Sequence, residues 1–135
     1  EPLDLDSPLL QVDEVICTPH LGASTIEAED NCAIMISSQI RDYLQDGNIV
    51  NSVNLPDCFM ERSGRVRLAI MNDNIPSMVS QITSVLAKED LNIHGMMNKS
   101  RGNIAYNIVD LGKSPTESLI DEIKAVKGVL FLRVL

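Results

Sequence analysis

The run Thr18-Pro19-His20-Leu21-Gly22-Ala23-Ser24-Thr25 sets a histidine between a helix-stopping proline and a glycine, just ahead of a helix start. The apolar run Glu14-Val15-Ile16-Cys17 before it reads as the end of a buried strand, with a strand expected over residues 12–17. A histidine there is delivered by a rigid strand end to a loop mouth, where acid–base residues are useful. The alternative is a surface-loop histidine with no role. Spacing alone leaves both readings open.

The elements that would position His20 begin with a helix. Ser24 followed by Glu27 forms an expected capping box. Ile26, Cys32, Ala33, Ile36, Ile40, Tyr43 and Leu44 then recur at helical spacing, and Gly47 supplies the stop. Such a helix, about six turns long, must lay its apolar stripe on something larger. Few residues precede it, so the sheet that would cover the stripe is expected upstream of Glu1. Residues 49–60, with Pro56 among them, read as a linker.

After Ser63-Gly64 the pattern changes. Val66, Leu68 and Ile70 alternate with Arg65, Arg67 and Ala69, as in a half-buried strand. Asn72-Asp73-Asn74-Ile75-Pro76 is a loop of turn formers, and Ser77 is placed to cap the next helix. Met78, Val79, Ile82, Val85 and Leu86 form the apolar face of that helix. Strands are expected over 93–98 and 104–111, joined by a turn at Ser100-Arg101-Gly102-Asn103. Ser114-Pro115-Thr116-Glu117 reads as a second capping box, and Leu119, Ile120, Ile123 and Val126 line the helix it opens. A last strand covers 129–134. The order β-α-β-β-α-β gives an α+β fold, an antiparallel four-stranded sheet with both helices on one face in the ferredoxin-like arrangement.

Charge supports two units. Residues 1–61 hold twelve Asp or Glu and a single basic residue, Arg41, whereas residues 62–135 hold seven acids and ten Lys or Arg. The division expected is 1–60 and 61–135. The acidic first part and the lack of stacking aromatics exclude a nucleic-acid surface. No apolar stretch reaches the ~20 residues of a membrane span, and no secretion signal opens the chain. Cys17, Cys32 and Cys58 are odd in number and far apart, which fits reduced thiols in a cytoplasm. They show no metal-ligand spacing, so no metal is expected. His94 reads as structural or exposed, Met96-Met97 as gap fillers, and Lys99 and Arg101 as solvated flanks of a hairpin.

The Thr18–Thr25 run, together with Glu1-Pro2, Ser7-Pro8-Leu9-Leu10, Glu27-Ala28, Asn31-Cys32-Ala33 and Asn51-Ser52-Val53-Asn54-Leu55-Pro56, resembles the end of the catalytic region of D-2-hydroxyacid dehydrogenases. Residues after about Gly64 resemble the ACT regulatory domain that some members carry. The resemblance implies oxidation of a 2-hydroxy acid with NAD as cofactor. His20 would be the base, and Leu21, Gly22 and Ala23 would border the nicotinamide beside it. Gly22 as a plain turn glycine is the alternative. No G-x-G-x-x-G occurs in the chain, so NAD would be held mostly by an upstream region, where the acidic partner of the base and the arginine for the substrate carboxylate would also lie.

The resemblance also implies an effector site in the ACT half. In serine-inhibited members, polar side chains on the loop after the first strand and just after the first helix hold the amino acid. The matching residues are Asn72, Asn74 and Asn92, whose amides each offer a donor and an acceptor to a zwitterion. Their alternative role is in turns and caps. The chain departs from the family pattern at Asn72, where the pattern has His, and at Ser77, where it has Gly. L-serine or another amino acid is the expected ligand, bound between two copies. Pairing of copies is expected because the domain is small and has an uncovered sheet face and edge. Two function classes follow: part of a dehydrogenase, or a small-molecule-binding and dimerising module.

Overall fold

The computed structural model describes residues 3–135; Glu1-Pro2, which opens the stretch carrying the resemblance, lies outside the described residues. A 3-10 turn, Pro8–Gln11, precedes α1 (Ile26–Asp46). Then follow β1 (Val66–Asp73), α2 (Met78–Ala87), β2 (Ile93–Arg101), β3 (Ile104–Leu111), α3 (Glu117–Ala125) and β4 (Val129–Val134). The chain forms two compact units, one to Met35 and one from Ile36, so the division falls inside α1.

In the first unit residues 12–17 form no strand. Their apolar pattern has no partner edge among the described residues, and a strand without a ladder partner leaves its backbone groups to water. The cap of α1 is Thr25, one residue later than expected. Thr25 Oγ1 accepts from Ala28 N at 3.1 Å, while Ser24 N is spent on the Leu21 carbonyl at 3.0 Å. Of the apolar stripe of α1, Ile26 in this unit is 78% accessible, and in the second unit Ile40 and Leu44 are exposed while Tyr43 is partly buried.

In the second unit all strand pairs are antiparallel and the order is β2-β3-β1-β4. This is the ferredoxin-like arrangement. The turn between β2 and β3 is tightened to Gly102-Asn103, with Gly102 at φ +59°, where a side chain would be strained. One sheet face carries α2 and α3: Ile82, Leu86, Leu119 and Ile123 close over Leu68, Ile70, Val109 and Leu111, with Met96 packed at the margin. Each such side chain contributes roughly 1.5–3 kcal/mol through burial.

The other face is covered by the chain itself. Ile49 and Cys58 exchange both backbone hydrogen bonds at 2.9 Å and lie on Ala69, Tyr106 and Ile108, with Tyr43, Leu55, Met60, Met71 and Met97 around them. Residues 36–60 therefore pack with 61–135 as one body, and β1 is buried on both faces where one had been expected to be wet. The uncovered sheet face that argued for a second copy is absent. Burial pushes the Cys58 thiol up to about 11, so it is an inert core residue.

Arg67, expected on a solvated face, is fully buried with Asp110. Its Nε donates to Asp110 Oδ1 at 2.6 Å and its Nη2 to Oδ2 at 2.9 Å. Its Nη1 donates to the carbonyls of Asp46 and Met60, each at 2.9 Å. Ser63 N also donates to Asp110 Oδ2, at 2.7 Å. Burial alone would raise the Asp110 carboxyl; the bonds from Arg67 and Ser63 outweigh it and hold the group below the usual carboxylate range.

Two further caps differ from expectation. α3 is capped by Thr116, whose Oγ1 accepts from Leu119 N at 3.2 Å, so Ser114 and Pro115 stand before the helix. Thr116 is held there by the Glu89 carboxylate, a partner remote in sequence. Ser77 precedes α2 without a side-chain cap bond and sits at φ +71°. A non-glycine residue there carries strain, so Ser77→Gly is expected to stabilise the fold by about 0.5–1 kcal/mol, the relief of strain exceeding the added freedom of the unfolded chain. Urea midpoints of the two proteins check this; an unchanged or lower midpoint contradicts it.

Candidate functional sites

His20 lies in the exposed loop that leads to α1. Within the first unit it lines an open hollow of about 870 Å³ with Asp4, Asp6, Ser7, Cys17 and Thr18. The turn closed by Ser24 N and the Leu21 carbonyl orients the residues after it. Leu21 is 56% accessible, and a Cβ placed on Gly22 would meet nothing within 4 Å. No strain or close neighbour among the described residues demands glycine at that position. Among the described residues no group of three or more His, Cys, Asp or Glu side chains could hold a metal ion. No helix among them is long and apolar enough to cross a membrane.

The asparagine set divides in two. Antiparallel pairing puts Val66, Leu111 and Ile93 at one end of the sheet, and Asp73, Ile104 and Arg101 at the other. Asn72 and Asn74 are at the second end and Asn92 is at the first. The eight residues of β1 separate them by roughly 25 Å. One copy of the fold does not bring the three together.

Asn74 is exposed, with its Nδ2 donating to the Gly102 carbonyl at 2.9 Å, which ties the loop after β1 to the β2–β3 turn. Asn72 is buried and already engaged: its Nδ2 donates to the Asp73 carbonyl at 2.7 Å, and its Oδ1 accepts from Asn107 Nδ2 at 2.6 Å. Asn107 Oδ1 in turn accepts from Asn98 Nδ2 at 2.6 Å. A row of three amides thus crosses β1, β3 and β2 beneath the loop. Asn98 and Asn107 were not singled out from the sequence. The available signal was the alternation of β3, which sets Asn107 in phase with Val109 and Leu111 on the core side. Asn92 is exposed, and its carbonyl accepts from Gly112 N at 3.3 Å. Arg101 is more than a solvated flank, since its Nη1 donates to the Ser52 carbonyl at 2.9 Å.

No family model matches the chain. Curated proteins do. Over 96% of its length the chain is similar to the C-terminal part of D-3-phosphoglycerate dehydrogenases. It is 31% identical over 130 residues to that of Haemophilus influenzae and 27% identical over 131 residues to that of Escherichia coli. It is 26% identical over 137 residues to D-3-phosphoglycerate dehydrogenase 1 of Saccharomyces cerevisiae. The chain spans 32% of the length of the two bacterial proteins and 29% of the yeast one. Among solved structures, the ACT domain from GTP pyrophosphokinase of Chlorobium tepidum is similar with a TM-score of 0.43 and 27% identity, covering 52% of this chain and 95% of that one.

Proposed function

We propose, from a likeness to D-3-phosphoglycerate dehydrogenases that runs through the whole chain, that this is the C-terminal part of such an enzyme. The reaction is NAD-dependent oxidation of 3-phosphoglycerate to 3-phosphohydroxypyruvate, in the cytoplasm, toward L-serine. Residues 1–60 are the end of the catalytic region with its linker, and residues 61–135 are an ACT regulatory domain. The observation that carries this reading is the 31% identity over 130 residues, a span that includes both the His20 motif and the βαββαβ sheet.

In the proposed reaction a ring nitrogen of His20 takes the proton of the substrate hydroxyl and returns it in reverse. Leu21, Gly22 and Ala23 border the cofactor ring in this reading. NAD, when bound, accepts the hydride released from the same carbon. The proton acceptor must sit within hydrogen-bond reach of the hydroxyl, which a loop fixed ahead of a capped helix can achieve. The chain has no glycine-rich phosphate cradle, so without the rest of the enzyme it is expected to give no turnover with NAD and 3-phosphoglycerate.

For the regulatory half we propose that an amino acid, L-serine first among the candidates, binds where two copies meet. Asn74 and Asn72 lie at one end of the sheet and Asn92 at the other, so a ligand that touches all three takes Asn92 from a second copy. Binding and pairing are then linked in both directions. A module with a different ligand is the second reading, favoured by Asn72, whose amide is spent on Asp73 and Asn107.

Calorimetry with L-serine and glycine, with sedimentation in the presence and absence of ligand, tests the site. Serine is expected to give heat and to shift the chain toward dimer. Asn74→Ala is expected to weaken binding about tenfold, the ~1.4 kcal/mol scale of one lost polar contact. A chain that stays monomeric and gives no heat with either amino acid removes the regulatory reading.

A further inference from the structure

At the C-terminal end of α1 the Tyr43 carbonyl takes Gly47 N at 3.0 Å and keeps acceptor capacity to spare, while the last carbonyls lie beyond the reach of helical donors. Three strands of the sheet each send a side chain to them. Arg133 of β4 donates to the Tyr43 carbonyl and stacks over the Tyr43 ring, its guanidinium carbon 4.6 Å from the centroid. Arg67 of β1 donates to the Asp46 carbonyl at 2.9 Å. Tyr106 of β3 donates its hydroxyl to the Gly47 carbonyl at 2.8 Å. Two of the three donors are cations at the negative end of the helix dipole. Gly47 sits at φ +70°, and a Cβ on it would stand 3.0 Å from Leu135 and 3.3 Å from Tyr106 Oη, so the chain turns against the sheet with no room to spare.

The linker that follows is held from below by the same groups. Arg67 reaches the Met60 carbonyl, and Asp110, which fixes Arg67, also binds Ser63 N. Asn48 Oδ1 accepts from Met60 N at 3.1 Å, and the Ile49–Cys58 bridge closes the loop between them. Arg101 holds the Ser52 carbonyl at its outer edge.

We propose that Arg67, Asp110, Tyr106 and Arg133 form a latch that makes the end of α1 and residues 47–60 part of one rigid body with the sheet. The apparent interdomain linker is then no swivel. Arg67, Asp110 and Tyr106 are positioning residues whose work is to hold backbone, and Asp110 acts through Arg67. The latch stands on its own contacts. If the regulation proposed above also operates, it adds that any displacement of the sheet carries the second half of α1 with it.

Hydrogen exchange on the 135-residue chain reads the latch without any ligand. The amides of Gly47, Ile49, Cys58 and Met60 are all donors in the contacts above or in the helix end. In the wild type they are expected to exchange within about tenfold of the slowest amides of β1 and β3, because they open only when the sheet does. Tyr106→Phe keeps the ring and removes one bond. It is expected to speed exchange at Gly47 and Ile49 about tenfold and the β1 and β3 amides by the same factor, because all of them open in one event. Wild-type linker amides that exchange a thousandfold or more faster than β1 would show a local hinge and overturn the proposal. So would a Tyr106→Phe protein in which Gly47 and Ile49 speed up while the β1 and β3 amides do not. Failure of serine to bind leaves these outcomes untouched and counts only against the effector site.

Discussion

Arg67→Ala is expected to destabilise the body formed by residues 36–135 by roughly 3–5 kcal/mol, the scale on which a buried ion pair fails when one partner is removed. The cause is what remains. Asp110 would be left fully buried without its guanidinium, and the carbonyls of Asp46 and Met60 would lose their donor. A carboxylate in that position must take up a proton or draw in water, and either outcome loosens the packed linker. Denaturant unfolding followed by circular dichroism measures the loss; a cost below about 1 kcal/mol would show that the pair is not the keystone its burial implies. Arg62→Ala is the control. Arg62 pairs with Asp46 at 3.4 Å near the surface, and such pairs are worth ~0–1 kcal/mol.

The same pair carries a pH dependence with a definite sign. The folded carboxyl of Asp110 titrates below its unfolded value, so the unfolded chain binds the proton more readily. The contribution is fully present above the unfolded value of about 3.9 and is lost as pH falls through the lower folded one. Wild-type stability is expected to drop over this acid window, and Asp110→Asn should remove that part of the drop.

On the dehydrogenase reading proposed above, His20→Ala in the whole enzyme that this reading implies is expected to lower kcat about 10²-fold or more with little change in KM, the result for a group that acts in the transition state and not in substrate binding. The fold should be indifferent to it. His20 lies in the exposed loop of the first unit, outside both hydrophobic clusters of the second, so thermal unfolding of residues 36–135 should not move. Steady-state kinetics with 3-phosphoglycerate and NAD, with a melting curve beside them, separate the two effects. A kcat that does not change removes His20 from the mechanism; a fall in kcat with a matching fall in stability would assign it a structural role instead.

Much of the second unit is legible in the sequence because its signals are local. A period of two in 66–70, a short apolar run over 104–111, a period near 3.6 in 78–86 and 119–126, and a glycine at residue 102 prescribe strands, helices and a tight turn from neighbours a few residues apart. The order β-α-β-β-α-β then leaves few ways to pair the strands, and the observed β2-β3-β1-β4 is the one expected for that order. The His20 run is a local signal of the same kind, being eight consecutive residues, and its role stands as a proposal.

Tertiary structure decided what depends on partners distant in the chain. Arg67 looks like the wet side of a strand until residues 47–60 fold back over it and Asp110, 43 residues away, neutralises it. Thr116 caps α3 in place of Ser114 with Glu89 holding it, and the run 12–17 remains irregular where no strand lies beside it. Asn72 and Asn92 look like one site in a sequence pattern, yet they stand at opposite ends of the sheet because antiparallel strands reverse direction at each connection. Periodicity reports which face of an element is apolar. It carries no information on what covers the other face, and in this protein that cover is the linker held by Arg67 and Asp110, which packs residues 36–60 with the sheet.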